Sequence, residues 1–132
     1  MALSADRKTA YREGVEIEFP VAASTKIYAG SLVMANANGY AVPGADTAGC
    51  KFLGVAMEQA DNSNGSDGDK TVRVRRTGVF EFKASSITQA MVGDDMYLVD
   101  DETFDETANN NIKCGKLVKY VSATKGWIDI SR

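Results

Sequence analysis

The sequence predicts an all-β fold, a compact β-barrel or β-sandwich of eight or nine short strands with one short helical turn and an extended N-terminal arm. Three observations carry this. Apolar residues recur at every second position, clusters of turn-forming residues interrupt the apolar runs at short intervals, and a single stretch has helical spacing. In "GVEIEFPV", Val15, Ile17 and Phe19 alternate with Glu16 and Glu18, the pattern of a strand with one face on a core and one in water. Further strands are expected over 31–35, 40–42 and 52–58. In "TVRVRRTGVFEFK" the apolar Val72, Val74, Phe80 and Phe82 keep one parity while Arg73, Arg75, Glu81 and Lys83 keep the other. Two geometries preserve that parity: a long strand kinked at Gly78, or a hairpin with the loop Arg76-Thr77-Gly78 and Gly78 at positive φ. The hairpin would set Val74 opposite Phe80, Arg73 opposite Glu81 and Val72 opposite Phe82. Only "SSITQAMVG" reads as helical, with Ser85 or Ser86 as cap, Ile87, Ala90 and Met91 on one side and Gly93 as terminator. Strands over 96–99, 116–121 and 127–130 complete the set, separated by turn signals that include "NANG", "PGADTAG", the Asn109–Asn111 run and "TKG".

An internal repeat is visible within this pattern. Residues 29–60 and 92–123 each run through a glycine, a short apolar strand, a polar turn, a long loop and a further glycine-bearing strand. Gly30 aligns with Gly93, and Gly54 nearly with Gly115. Two related hairpins and two closing strands would give a pseudo-symmetric barrel; chance likeness among short hairpins is the alternative.

Residues 15–132 are expected to form a single domain around one core, and residues 1–14 a separate arm. The arm is polar, has no repeating core pattern and carries Arg7, Lys8, Tyr11 and Arg12. It is either a free tail or a segment that orders against a partner. Of the 132 residues 44% are hydrophobic and 25% charged, as in ordinary globular proteins. No apolar run reaches the roughly 18 residues of a membrane-crossing helix, and the N-terminus lacks the apolar stretch of a secretory signal, so folding in a cytoplasm is expected. A net charge of −3 argues against a nucleic-acid binder, which neutralises phosphates with clustered Lys and Arg.

The chemistry-bearing residues point away from catalysis. With no histidine, neither a Ser-His-Asp nor a Cys-His arrangement is available, and no phosphate-cradling glycine motif is present. Cys50 and Cys114 lack metal-ligand spacing and read as buried free thiols, with a disulfide as the alternative. The polar run "ADNSNGSDGDK" at 60–70 suggests a calcium loop, but counting from Asp61 puts Gly65, Ser66 and Val72 where the position-five ligand, the turn glycine and the bidentate glutamate belong. It reads instead as a solvated connection. The acidic stretch holding Asp94, Asp95, Asp100, Asp101, Glu102, Asp105 and Glu106 flanks a strand at its ends and reads as a charged outer face. Arg73 and Arg75 point the same way from one strand; they meet carboxylates of a neighbouring subunit, pair within the chain with Glu81, or are simply solvated. No catalytic, cofactor or metal site is expected, and no cofactor.

The order of "AGSLVMANANGYAVP", "FLGVAMEQA", "TVRVRRTGVFEFKAS", "ITQAMVGDDMYLVDD" and "GKLVKYVSATKGWIDIS" resembles a family of small β-barrel phage capsid decoration, or cement, proteins. The resemblance covers about residues 13–131 and rests on glycine and valine positions. It implies a structural virion protein, made in the bacterial host cytoplasm, that coats the capsid surface. Its implied partners are the major capsid protein and copies of itself, as a homotrimer or else a dimer, with no nucleic acid and no membrane. Members have been labelled as RecA-related recombinases; the absent phosphate loop makes that label untenable here. The arm and the extended loop at 62–69 depart from the family pattern. Candidate contact residues are Arg7, Lys8, Tyr11, Arg12, Arg73 and Arg75. A tail or fibre adhesion module is the alternative function.

Overall fold

Twelve strands and one 3-10 turn make up the chain in a computed structural model that describes residues 2–110 and 112–131. Met1 and Arg132, the outer ends of the expected arm and domain, and Asn111, the last residue of one expected turn, lie outside the described residues. The strands are β1 (Glu16–Pro20), β2 (Thr25–Ile27), β3 (Leu32–Ala35), β4 (Ala41–Pro43), β5 (Lys51–Ala56), β6 (Ala60–Asn62), β7 (Thr71–Arg75), β8 (Val79–Ala84), β9 (Asp95–Leu98), β10 (Thr103–Asp105), β11 (Lys113–Ser122) and β12 (Lys125–Asp129). The all-β class is as expected. The three strands beyond the expected set, β2, β6 and β10, have three residues each, too few to establish an alternating pattern. The helical stretch contracts to a 3-10 turn, Gln89–Met91, with Thr88 rather than Ser85 or Ser86 at its cap position.

The expected hairpin does not form. β7 pairs with β1 and β5, while β8 pairs with β12 and β10 in a separate sheet. Gly78 has the expected positive φ, at +121°, but there the chain crosses from one sheet to the other. Val74 lies opposite Ile17, Arg73 opposite Glu18 and Val72 opposite Phe19. β1 offers the same apolar and acidic alternation that β8 offers, so each side chain of β7 finds the chemistry the hairpin would have supplied, on a different strand.

That substitution is explained by an internal duplication. The first sheet has the order β1-β7-β5-β3-β4 and the second β8-β12-β11-β9-β10, so successive strands of one unit occupy the places of successive strands in the other. The equivalence holds residue by residue. Ile17 opposite Val74 matches Phe80 opposite Ile128, Met34 opposite Phe52 matches Tyr97 opposite Lys113, and Ala35 opposite Ala41 matches Leu98 opposite Phe104. In the second unit a parallel pairing of β10 with β8, Phe104 beside Ala84, closes a barrel. In the first, an isolated parallel bridge from Val21 to Ala41 joins the equivalent edges. The repeat is therefore longer than glycine spacing implied, and each copy builds a sheet of its own instead of half of a shared barrel.

The aligned glycines mark equivalent bulges. Gly54 and Gly115 have φ of +152° and +157°, and each sits at a register shift in its strand pair. A Cβ on Gly54 would lie 2.2 Å from the carbonyl oxygen of Arg75, and one on Gly115 would lie 2.5 Å from that of Asp129. Arg75 and Asp129 are themselves equivalent positions. Only glycine lets these backbones approach so closely.

The units differ in how they are packed and connected. Buried Val33, Ala41, Ala56 and Val74 of the first correspond to Met96, Phe104, Leu117 and Ile128 of the second. The pair Leu32 and Val55, facing each other across β3 and β5, corresponds to Asp95 and Lys116, which form an ion pair of 2.7 Å. Two apolar clusters result where one was expected. One lies within the first unit around Val21, Ile27, Val72 and Val74, and the other joins Leu32, Met34 and Val55 to Met96, Leu98, Phe104 and Leu117 of the second. β11 turns into β12 through Ala123 and Thr124 alone, whereas β5 reaches β7 through the longer 57–70 segment, which contains β6 and the polar loop.

Candidate functional site

Residues 2–14 precede β1, belong to no strand or helix, and are exposed throughout. Leu3 is 74% and Tyr11 84% exposed, values that leave both side chains with little of the body to pack on. Arg12 reaches forward to Glu18 at 3.2 Å, Tyr11 donates to Glu13, and Arg76 Nη1 donates to the Gly14 carbonyl at 3.1 Å. The hydrogen bond to Glu13 holds the Tyr11 phenol above its ordinary range, and a hydrogen bond from its own backbone N–H, followed by the hydrogen bond and charge of Arg12, holds Glu18 below that of a carboxylate. Arg7 and Lys8 are exposed on the same arm.

Arg73 and Arg75 are paired within the chain. Arg73 lies 3.2 Å from Glu16 and 4.0 Å from Glu58, and Arg75 lies 3.5 Å from Glu16. The expected partner Glu81 stands in the second sheet, opposite Trp127. Its equivalent in the first unit, Glu18, is the residue opposite Arg73. The structure thus gathers Arg73 and Arg75 with Glu16 and Glu58 on one strand face and keeps Arg7, Lys8 and Tyr11 apart from them on the arm.

The polar loop spends its carboxylates on backbone N–H groups and a serine hydroxyl. Asp67 Oδ1 accepts from the Ala23 N–H at 2.7 Å, Asp69 Oδ2 from Ser66 N–H at 2.9 Å, and Asp61 Oδ1 from the N–H and hydroxyl of Ser63. The Ser63 hydroxyl is the largest cause of a lowered Asp61 pKa. Buried Asn62 anchors the loop: its Nδ2 donates to the carbonyls of Ala22 and Ser66, both at 2.9 Å, and of Val21 at 3.3 Å. Sequence reasoning missed this residue, because nothing in the run distinguishes it from its exposed neighbours. Among the described residues no three Cys, Asp or Glu side chains converge as metal ligands.

In the acidic stretch, Asp95 accepts from Lys116 at 2.7 Å and lies 3.1 Å from Lys113; these cations, Lys116 first, hold its carboxyl below the usual range. Asp101 is the opposite case. Partial burial, then the neighbouring charges of Asp100 and Glu102, raise its pKa. It lines a shallow hollow with Glu102 and the Tyr28–Ser31 segment, and its own carbonyl accepts from the Leu32 N–H at 2.8 Å. Cys50 and Cys114 are free thiols, and burial pushes the Cys114 thiol up to about 12.

A depression of about 610 Å³ lies along β1 where the two units meet. Ile17 and Phe19 of β1 and Phe52 and Leu53 of β5 line it, with Arg76 and Lys113 among the other lining residues. No sequence motif announces it; a position-by-position comparison of the two repeats would have shown Arg76 standing where the second unit has Ile130. No family model, curated protein or solved structure matches this chain.

Proposed function

We propose that this chain is a structural virion protein that binds the outside of an assembled phage capsid and stabilises it. The observation that carries the reading is the arm, an exposed segment bearing Arg7, Lys8, Tyr11 and Arg12 joined to an all-β body. The resemblance of the order of sequence pieces to that of capsid decoration proteins supports the same reading. The role is binding, with no reaction and no cofactor. The partners are the major capsid protein and further copies of the chain, a trimer first and a dimer second, with no part for nucleic acid or membrane.

Stabilisation follows from linkage. A ligand that binds the assembled shell and not its free subunits lowers the free energy of the shell, by about 2.7 kcal/mol per site at a free concentration roughly 100 times Kd. Many weak sites on a symmetric lattice add. An arm that orders on docking contributes contact area at a cost in chain entropy. The adhesion alternative asks for aromatics gathered on an exposed face; Tyr11 is on the arm, Tyr28 follows β2, and Trp127 is half-buried between β8 and β11.

Deleting residues 1–14 is expected to reduce occupancy on phage capsids assembled from a partner major capsid protein, while the circular dichroism spectrum and melting temperature of the body stay unchanged. Unchanged occupancy in cryo-electron microscopy would remove the arm from the mechanism, and absence of the full-length protein from the particles would remove the capsid reading itself.

A further inference from the structure

The outer walls of the two units correspond position by position and differ in chemistry. In the second unit Trp127 stands at the centre of the wall, with Glu81 opposite it on β8 and Lys119 opposite it on β11. Val79 on β8 and Val118 and Val121 on β11 are exposed there, at 48%, 44% and 45%. The two valines on β11 are the extra residues at its register shifts with β12, so both turn to solvent while Leu117 stays buried and Tyr120 packs against the core. In the first unit the three central places hold Glu18, Arg73 and Glu58, and they are joined in ion pairs: Arg73 to Glu16 and Glu58, Glu18 to Arg12.

The second wall has no such closure. Among the described residues neither Glu81 nor Lys119 has an ion-pair partner, and Trp127 is only half-buried. A tryptophan centre with a charged rim is the anatomy of a protein contact. Opposite charges on the two sides of Trp127 also make the wall complementary to itself. Turning a second copy about an axis parallel to β12 and laying the two walls together sets Trp127 on Trp127, and Glu81 of each copy over Lys119 of the other. The wall of the first unit fails the same operation, since Glu18 would fall over Glu58, acid on acid. Lys125 and Asp129, near the ends of β12, would meet their own copies at the rim, where water and salt screen like charges.

We propose that the outer wall of the second unit binds the same wall of a second copy, face to face about a two-fold axis through Trp127. The arm is the poorer occupant: it carries Arg7, Lys8 and Arg12 against Asp6 and Glu13, and would bring net positive charge to a wall where Lys119 and Lys125 already lack ion-pair partners. Three strands and the five residues of β12 outline a face of roughly 14 by 17 Å. That is well under the roughly 800 Å² per partner of a stable complex, so the contact is weak between isolated chains and gains on a lattice that holds neighbours close. The inference deepens the reading that copies of the chain are among its partners and rests on that part of it alone.

The test uses the full chain with no capsid present. Sedimentation equilibrium from micromolar to millimolar concentration should show monomer passing to dimer. Trp127 is the only tryptophan, so its emission should move to shorter wavelength over the same range. Glu81→Lys and Lys119→Glu each turn the attractive pairs of the dimer into repulsive ones and should weaken association roughly tenfold or more. An equimolar mixture of the two variants should associate again, because a basic wall then faces an acidic one. Both positions are exposed, so circular dichroism should be unchanged; if one reversal does not fold, the other and the Trp127 emission decide. A chain that stays monomeric, a dimer with unchanged emission, single variants that associate like the parent, or a mixture no better than its components would overturn the proposal. So would loss of association on deleting residues 1–14, which would assign the contact to the arm. A missing dimer leaves the capsid reading to the occupancy experiment, and absence from particles leaves this contact standing.

Discussion

Gly54→Ala and Gly115→Ala should be among the most damaging small substitutions in this protein, and for one reason. Each new methyl carbon would meet a carbonyl oxygen of the paired strand at 2.2 Å and 2.5 Å respectively, against 3.4–4 Å for ordinary contact. Relief requires the strands to part by about 1 Å, which costs a ladder hydrogen bond, about 1 kcal/mol, and displaces packed neighbours at about 1–3 kcal/mol. The left-handed backbone, φ of +152° and +157°, adds about 1–3 kcal/mol for any residue with a Cβ. Together these come to roughly 3–7 kcal/mol, or a fall in melting temperature of about 10 °C or more for a chain of this size. Gly39→Ala separates the two causes, because φ there is +89° but the added methyl meets nothing within 4 Å. It should cost about 1 kcal/mol. Urea denaturation of the three variants, followed by circular dichroism, gives the comparison. If Gly54→Ala and Gly115→Ala cost no more than Gly39→Ala, close backbone approach is not what keeps glycine at the paired bulges.

Asp95, with its pKa lowered by Lys116 and Lys113, contributes stability that is present above the ordinary aspartate range and lost as pH falls through its folded pKa. Asp95→Asn should therefore flatten the acid limb of melting temperature against pH. Asp101, with its pKa raised, acts in the reverse sense: its charge opposes folding at neutral pH and the penalty disappears as the group protonates, so Asp101→Asn should match or exceed the parent at pH 7 and converge with it in acid. Cys114, buried with its thiol pushed up to about 12, should react with a disulfide reagent only on unfolding, while half-buried Cys50 reacts faster; equal rates for the two in native protein would refute this. Asn62→Ala should cost about 2 kcal/mol in urea denaturation by leaving the carbonyls of Val21, Ala22 and Ser66 without their shared donor, and millimolar calcium should leave the melting temperature unchanged.

Much of this fold could be read from the sequence because two-residue periodicity is a property of single strands. Pairing is not. The alternation in Thr71–Arg75 correctly required an apolar and acidic partner, and β8 satisfied it as well as β1 because the two are copies. The register was right and the copy was wrong: Phe80, Glu81 and Phe82 are the counterparts of Ile17, Glu18 and Phe19, the residues that face Val74, Arg73 and Val72. The same confusion assigned Arg73 to Glu81. The short strands β2, β6 and β10 are held by their neighbours and leave no local signature. The exposed arm was legible, since a polar stretch without core periodicity has nothing to pack. The groove was not, because Leu53, Arg76 and Lys113 come together only through the meeting of two sheets.

The exchange of Leu32 and Val55 in one unit for Asp95 and Lys116 in the other shows what tandem fusion permits. In a symmetric pair of separate chains every substitution occurs twice, so a residue cannot be made greasy for one side and charged for the other. Fusion lifts that constraint: a single gene specifies two versions of the same scaffold, one surface spent on holding the halves together and its twin released to face water. A lattice tiled with such chains would display two chemically distinct positions per gene product, a freedom that an assembly of identical single units does not have.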